Sequence, residues 1–135
     1  MAGYSKRSLV EKLGIKAGQR IAVLNAPGGY ERTLGQLPQG VSVARGLDGP
    51  LDFIHFFTTS RAHLAAELPR LRGALAQNGA LWVSWPKGAS KVPTDLNENV
   101  VREIGLANGV VDVKVAAVDE VWSALKLVIR LKDRT

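Results

Sequence analysis

Apolar residues fall in short runs separated by polar turns, and their spacing switches between the periods of a helix and a strand. Leu9 and Leu13 lie four apart, and Gly14 follows them. This predicts a short opening helix over 5–13, closed by a left-handed glycine. Ile21-Ala22-Val23-Leu24 is an unbroken apolar run after a polar turn and reads as a buried strand. Asn25-Ala26-Pro27-Gly28-Gly29 ends it as a loop. Residues 30–37 then read as a short helix stopped by Pro38.

A brief second strand is expected over 41–44, with Gly46, Gly49 and Pro50 marking the loop after it. Residues 52–57, rich in aromatic and β-branched side chains, make a third strand. Thr58-Thr59-Ser60 offers capping oxygens to the helix that follows. Leu64, Leu68, Leu71 and Leu75 form one face of that helix, with a kink or a break into two helices expected at Pro69. Asn78-Gly79 should end it before a fourth strand over 80–85. Pro93-Thr94-Asp95 reads as the start of another helix, with Asp95 and Glu98 spaced as a capping box. Its expected buried face is Leu96, Val100, Ile104 and Ala107. Residues 110–118 and 122–131, with Asp119 and Glu120 between them, read as an antiparallel hairpin.

Strands that alternate with helices imply a mainly parallel sheet with right-handed crossovers. The fold class is therefore α/β. A Rossmann-like three-layer sandwich is expected, with about six strands, mostly parallel, and a C-terminal antiparallel hairpin. No repeat or linker divides the chain, so residues 1–135 read as a single domain.

This layout resembles class I methyltransferases that use S-adenosylmethionine. The likeness covers residues 15–131 and rests on three features. They are the glycine-containing loop after strand one, the Asn78-Gly79 turn before strand four, and the terminal pair whose last strand is antiparallel. In such enzymes an acidic residue on the first strand precedes a loop of alternating glycines, and a carboxylate at the end of strand two binds the ribose. Here Val23 takes the acidic position, Asn25 and Pro27 stand where glycines belong, and only Gly29 fits. Arg45 is the nearest residue to the ribose position. The resemblance thus implies the scaffold with a degraded cofactor motif, and no cofactor is expected.

A second resemblance runs nearly full length, over 4–131. The segments Leu24-Asn25-Ala26-Pro27, Trp82-Val83-Ser84-Trp85-Pro86-Lys87, Pro93-Thr94-Asp95-Leu96, and Trp122-Ser123 with Lys126-Leu127-Val128 carry it. They are similar to an uncharacterised bacterial family, catalogued as domain-of-unknown-function family 3052. It implies a bacterial origin and brings no mechanism with it.

Composition narrows the classes further. The absence of cysteine excludes disulfides and thiolate metal sites and suits a reducing compartment. The basic N-terminus has no apolar signal core, and no apolar run reaches the ~18–20 residues that span a bilayer. A cytoplasmic location without membrane contact is expected. The net charge of +6 permits attraction to nucleic acid, but the basic residues are scattered along the chain, so a solvated basic surface is the stronger reading.

Ligands of open α/β sheets bind beyond the carboxyl ends of the strands. That rule selects Asn25, Pro27, Gly28 and Gly29 after strand one, Thr58, Thr59 and Ser60 after strand three, and Ser84, Trp85 and Lys87 at strand four. Lys91 lies in the loop beyond. Together they suggest an anion site, with Trp85 available to stack on a flat ligand. The competing roles are helix capping for Thr59 and Ser60, core packing for Trp85 and solvation for Lys87. His55 and His63, with Glu67, supply too few ligands for a metal, so none is expected. No serine lies in a nucleophile elbow, and Asp119 and Glu120 read as solvated turn residues.

The leading expectation is a non-catalytic or regulatory domain that binds a small ligand or a partner on a methyltransferase-like scaffold. The alternatives are an enzyme acting on an anionic small molecule, and a nucleic-acid or protein interaction module.

Overall fold

The computed structural model describes residues 8–135. The start of the expected opening helix, residues 5–7, lies outside the described residues. In chain order the elements are α1 (Leu9–Leu13), β1 (Arg20–Leu24), α2 (Tyr30–Leu34), β2 (Ser42–Val43), β3 (Leu51–Phe57), α3 (Arg61–Ala74), β4 (Leu75–Pro86), α4 (Glu98–Ala107), β5 (Val110–Ala117) and β6 (Trp122–Ile129). One six-stranded sheet runs β2-β1-β3-β4-β6-β5. The first four strands of that order are parallel, and β6 is antiparallel to both its neighbours. This is a Rossmann-like three-layer α/β sandwich with a C-terminal antiparallel hairpin.

The two faces of the sheet hold separate apolar clusters. On one face, Leu64, Leu68 and Leu71 of α3 and Val101 of α4 pack over Ala22, Ile54, Phe56, Leu81, Val83, Leu125 and Leu127. On the other, α1 and α2 bring Leu9, Leu13, Tyr30 and Leu34 onto Ile21, Phe53, Phe57, Trp82 and Ala124. Both sets alternate along β3 and β4, as the period of two for a strand requires. At full burial such side chains each contribute on the order of 1.5–3 kcal/mol.

Several local expectations are corrected. α2 ends at Leu34 rather than Leu37, because Gly35 takes a φ of 91° and breaks the helix. α3 runs uninterrupted through Pro69. That proline is exposed, and the carbonyl it deprives of a donor, that of exposed Ala65, faces water. The helix stops at Ala74, before Asn78-Gly79. Leu75 is already extended and pairs with Leu51. Gly79 serves the sheet instead, since a β-carbon there would lie 2.8 Å from the Leu51 carbonyl oxygen. It lets β4 pass close to β3 across an irregularity in their pairing.

α4 starts at Glu98 with Asn97 as its cap, the Asn97 side chain accepting from the Val100 N–H at 2.9 Å. The Asp95–Glu98 capping box is therefore absent. The helix buries Val101 and Gly105 most deeply, while Ala107 is exposed. Gly105 sets the helix-to-sheet distance, since a β-carbon there would meet Leu127 and Val110 at 3.2–3.3 Å. Lys126 sits on an interior strand with one wet face, because β5, not β6, forms the sheet edge.

Candidate functional site

From β1 the chain crosses outward to β2, then returns past β1 to β3. Strand order therefore reverses beside β1, and the carboxyl end of β1 is where an open α/β sheet presents a crevice. Asn25 turns the chain there with a φ of 60°. Among non-glycine residues, asparagine tolerates that left-handed conformation best. Its side-chain amide donates to the Phe57 carbonyl at 3.3 Å, tying the end of β1 to the end of β3. Gly29 follows with a φ of 83° and hands the chain to α2.

Between this turn and β2 lies a cavity of about 620 Å³. Ala26, Pro27, Gly28 and Gly29 line its mouth, Ile21, Val23, Leu34, Leu37 and Val43 its apolar walls, and Tyr30 and Glu31 the start of α2. This size lies within the ~300–1,000 Å³ typical of small-molecule sites. Pro27, Gly28 and Gly29 are the sequence-selected residues that border it. Arg45 lies beyond the end of β2, exposed and outside the lining.

Behind the cavity wall runs a buried polar chain. Tyr30 Oη lies 2.7 Å from His55 Nδ1, and His55 Nε2 lies 2.7 Å from Ser84 Oγ. A neutral imidazole has one donor and one acceptor, so a hydroxyl at each nitrogen satisfies it in either tautomer. His55 is fully buried, and its ring stacks on Phe57 at 4.1 Å. Burial pushes its pKa down to about 3 and drives the Tyr30 phenol well above its ordinary value. Ser84 is also fully buried. The chain resembles a hydroxyl–imidazole pair of a hydrolase, but its His55 and Ser84 are fully buried, and it pins the first residue of α2 to β3 and β4.

The other selected residues lie along the same sheet edge, outside the cavity. Thr58 follows β3 and is buried, its N–H donating to the Ser84 carbonyl at 3.1 Å. Its hydroxyl accepts from the Ser60 N–H at 3.2 Å and lies 2.9 Å from His63 Nδ1. Thr59 is exposed, and its carbonyl accepts from the Thr94 hydroxyl at 2.6 Å. Ser60 caps α3, accepting from the His63 N–H. Trp85 points to the face opposite Ser84 and packs in the α3–α4 cluster. Lys87 Nζ donates to the Asp119 carbonyl at 2.7 Å, and Lys91 is exposed in a left-handed turn. Asp119 is more than a solvated acid, because its carboxylate accepts from Val121 N–H and Trp122 N–H, both at 2.8 Å.

The N-terminus of α3 is occupied from within the chain. Asp95 accepts from the Arg61 N–H at 2.7 Å, and Ser60 takes the His63 N–H. A carboxylate there satisfies an orphan donor and the positive end of the helix dipole together. Asp95→Ala should therefore cost about 1 kcal/mol, as loss of a cap does. Urea unfolding of the variant at neutral pH measures it, and an unchanged midpoint would remove the capping role.

Sequence reasoning missed the apolar cavity walls and the His55 chain. The signal for His55 was present: it lies in the run Phe53-Ile54-His55-Phe56-Phe57, where a polar side chain needs a buried partner. No signal of comparable strength marks Leu37 or Val43. Among the described residues, no group of histidine or acidic side chains is arranged to hold a metal, and no helix is long and apolar enough to cross a membrane. Glu67, four residues after His63, pairs with Arg70.

No family model and no curated protein matches the chain. Solved structures do. The fold is similar to magnesium protoporphyrin IX methyltransferase from Synechocystis PCC 6803 with bound SAM, at a TM-score of 0.58 and 12% identity, over 90% of this chain and 74% of that one. A SAM dependent methyltransferase from Aquifex aeolicus gives 0.60 and 15%, over 90% and 88% of the two chains. Precorrin-6y C5,15-methyltransferase from Geobacter metallireducens GS-15 gives 0.60 and 11%, over 90% and 86%. At these identities the likeness is one of fold: the chain has a methyltransferase-like Rossmann scaffold.

Proposed function

We propose that the chain is a non-catalytic ligand-binding domain, and that its ligand enters the cavity beneath the Pro27-Gly28-Gly29 turn. The observation that carries this reading is the lining. Among the described residues that line it, Glu31 is the only ionisable side chain besides the buried phenol of Tyr30, and the remaining walls are apolar. A group that moves a proton must lie within hydrogen-bond reach of the reacting atoms. His55 and Ser84 are sealed behind the wall, and Tyr30 faces His55 with its hydroxyl already engaged. Pro27 removes one backbone donor from the turn, and Val23 offers no carboxylate to a cofactor. These features favour a small, largely apolar molecule over S-adenosylmethionine.

Calorimetric titration with S-adenosylmethionine and S-adenosylhomocysteine tests the proposal. No heat of binding is expected up to millimolar ligand. Members of a panel of small, largely apolar compounds should instead raise the melting temperature by mass action, and Val43→Trp, which fills the cavity from its rim, should abolish that shift. Saturable binding of S-adenosylmethionine with transfer of its methyl group to any acceptor would overturn the reading.

A further inference from the structure

We propose that the open sheet face formed by β5 and β6 beside α1 binds the phosphate backbone of a nucleic-acid duplex through Lys16, Lys114 and Lys126. The surface lies on the opposite half of the sheet from the cavity, so the proposal stands apart from the ligand reading above.

The topology gathers lysines that are far apart in sequence. Lys126 pairs with Trp82 of β4 on one side and Lys114 of β5 on the other. Cross-strand partners project to the same face. That face is the α1 side, because Trp82 Nε1 donates to the Leu13 carbonyl at 2.9 Å. Lys114 Nζ reaches the Lys12 carbonyl at 3.4 Å, at the end of α1. Lys16 lies in the turn between α1 and β1, and its charge is felt at Lys126. Partial burial and the charges of Lys114 and Lys16 together hold the Lys126 ammonium below its ordinary pKa.

Among the described residues, the ion pairs use Arg20, Arg70 and Arg102, and none joins Lys16, Lys114 or Lys126 to a carboxylate. Like charges directly opposite each other on neighbouring strands oppose folding. An anion seated between them relieves that repulsion. Lysine is a compact point charge that suits phosphate, without the planar fork that reads base edges. Among the described residues, Trp82 beside Lys126 is 1% exposed, and Trp122, four residues before Lys126 on β6, is half-buried with its ring against Phe57, so the lysines have no fully exposed ring beside them on which unpaired bases could stack. Backbone contacts to a duplex, independent of sequence, are the recognition this chemistry supports.

The test is fluorescence anisotropy with a labelled duplex of about 20 base pairs, titrated between about 50 and 300 mM KCl. Binding at low salt is expected. Each phosphate contact contributes about 0.9 to the log–log salt slope, so each single substitution Lys16→Gln, Lys114→Gln or Lys126→Gln should lower the slope by about one. The triple Lys→Arg variant, which keeps the charge, should retain it. The charge-matched control Arg45→Gln/Lys91→Gln/Lys132→Gln, on exposed residues elsewhere, should leave the slope unchanged. The triple Lys→Gln variant should melt no lower than the parent, because it relieves repulsion. Absence of binding at the lowest salt would overturn the proposal. So would equal weakening by the control variant, which would reduce binding to net charge. Displacement of the duplex by polyglutamate at equal charge concentration would also overturn it and point to an acidic protein partner.

Discussion

The contribution of His55 to stability should be level above about pH 7 and fall as the pH drops through the range between 6.5 and 3. The ordinary pKa of the imidazole is 6.5, and burial holds it near 3 in the folded chain. Between those values the unfolded chain binds a proton that the folded chain refuses. The unfolded state thus carries more protons, and the slope of unfolding free energy with pH is positive throughout the window. Stability is fully present above the unfolded pKa, declines as pH falls below it, and draws no further loss from this group below about 3. The limiting slope is about 1.4 kcal/mol per pH unit, so about 2 kcal/mol should be gone by pH 5.

The comparison with His55→Gln isolates the effect. Glutamine keeps a donor and an acceptor between Tyr30 and Ser84 but does not titrate. The variant should be less stable at neutral pH by about 1–3 kcal/mol, because its amide cannot match both hydroxyl positions or the stack on Phe57. Its curve should be shallower between pH 7.5 and 5.5, so the two proteins converge as the pH falls. Urea unfolding followed by circular dichroism at each pH gives the curves. Parallel curves would mean that His55 takes its proton in the folded chain as readily as in the unfolded one, and that the pocket around it admits water.

The sequence made the architecture legible because the fold depends on coarse signals. Apolar runs such as Ile21 to Leu24 and the leucine stripe of α3 specify which face is buried, and their alternation specifies a parallel sheet. Boundaries failed where a local signal was used for a distant purpose. Asp95 has the look of a cap for its own helix but caps α3, 34 residues earlier in the chain. Asn78-Gly79 has the look of a helix stop, but Gly79 serves the approach of β4 to Leu51. The rim was legible as a line of strand ends, while the cavity was not. Its walls are ordinary aliphatic residues, and the space between them arises only from how α2 and the turn before β2 are set over β1. The lysine cluster was hidden for a related reason: scatter along the chain says nothing about distance once β5 and β6 fold back beside α1.

Trp82→Ala should destabilise the fold more than the Asp95 or His55 substitutions, by about 3–5 kcal/mol, as deletion of a buried large aromatic side chain does. The indole is 1% exposed on the α1–α2 face. It also joins two segments 69 residues apart, donating to the Leu13 carbonyl. α1 is only five residues long and could not persist alone. Its capping box of Ser8 and Glu11 fixes its first turn, and burial of Leu9, Val10 and Leu13 on the sheet holds it in place together with the Trp82 hydrogen bond. Trp82→Phe separates the two contributions. The ring would keep much of the packing but leave the Leu13 carbonyl without its donor, at a cost of about 1–2 kcal/mol. Amide exchange of α1 should accelerate in both variants, more in Trp82→Ala. A loss below about 1 kcal/mol in Trp82→Ala would mean that α1 is undocked in solution, which would also remove one wall of the lysine cluster, since Lys114 reaches the carbonyl of Lys12.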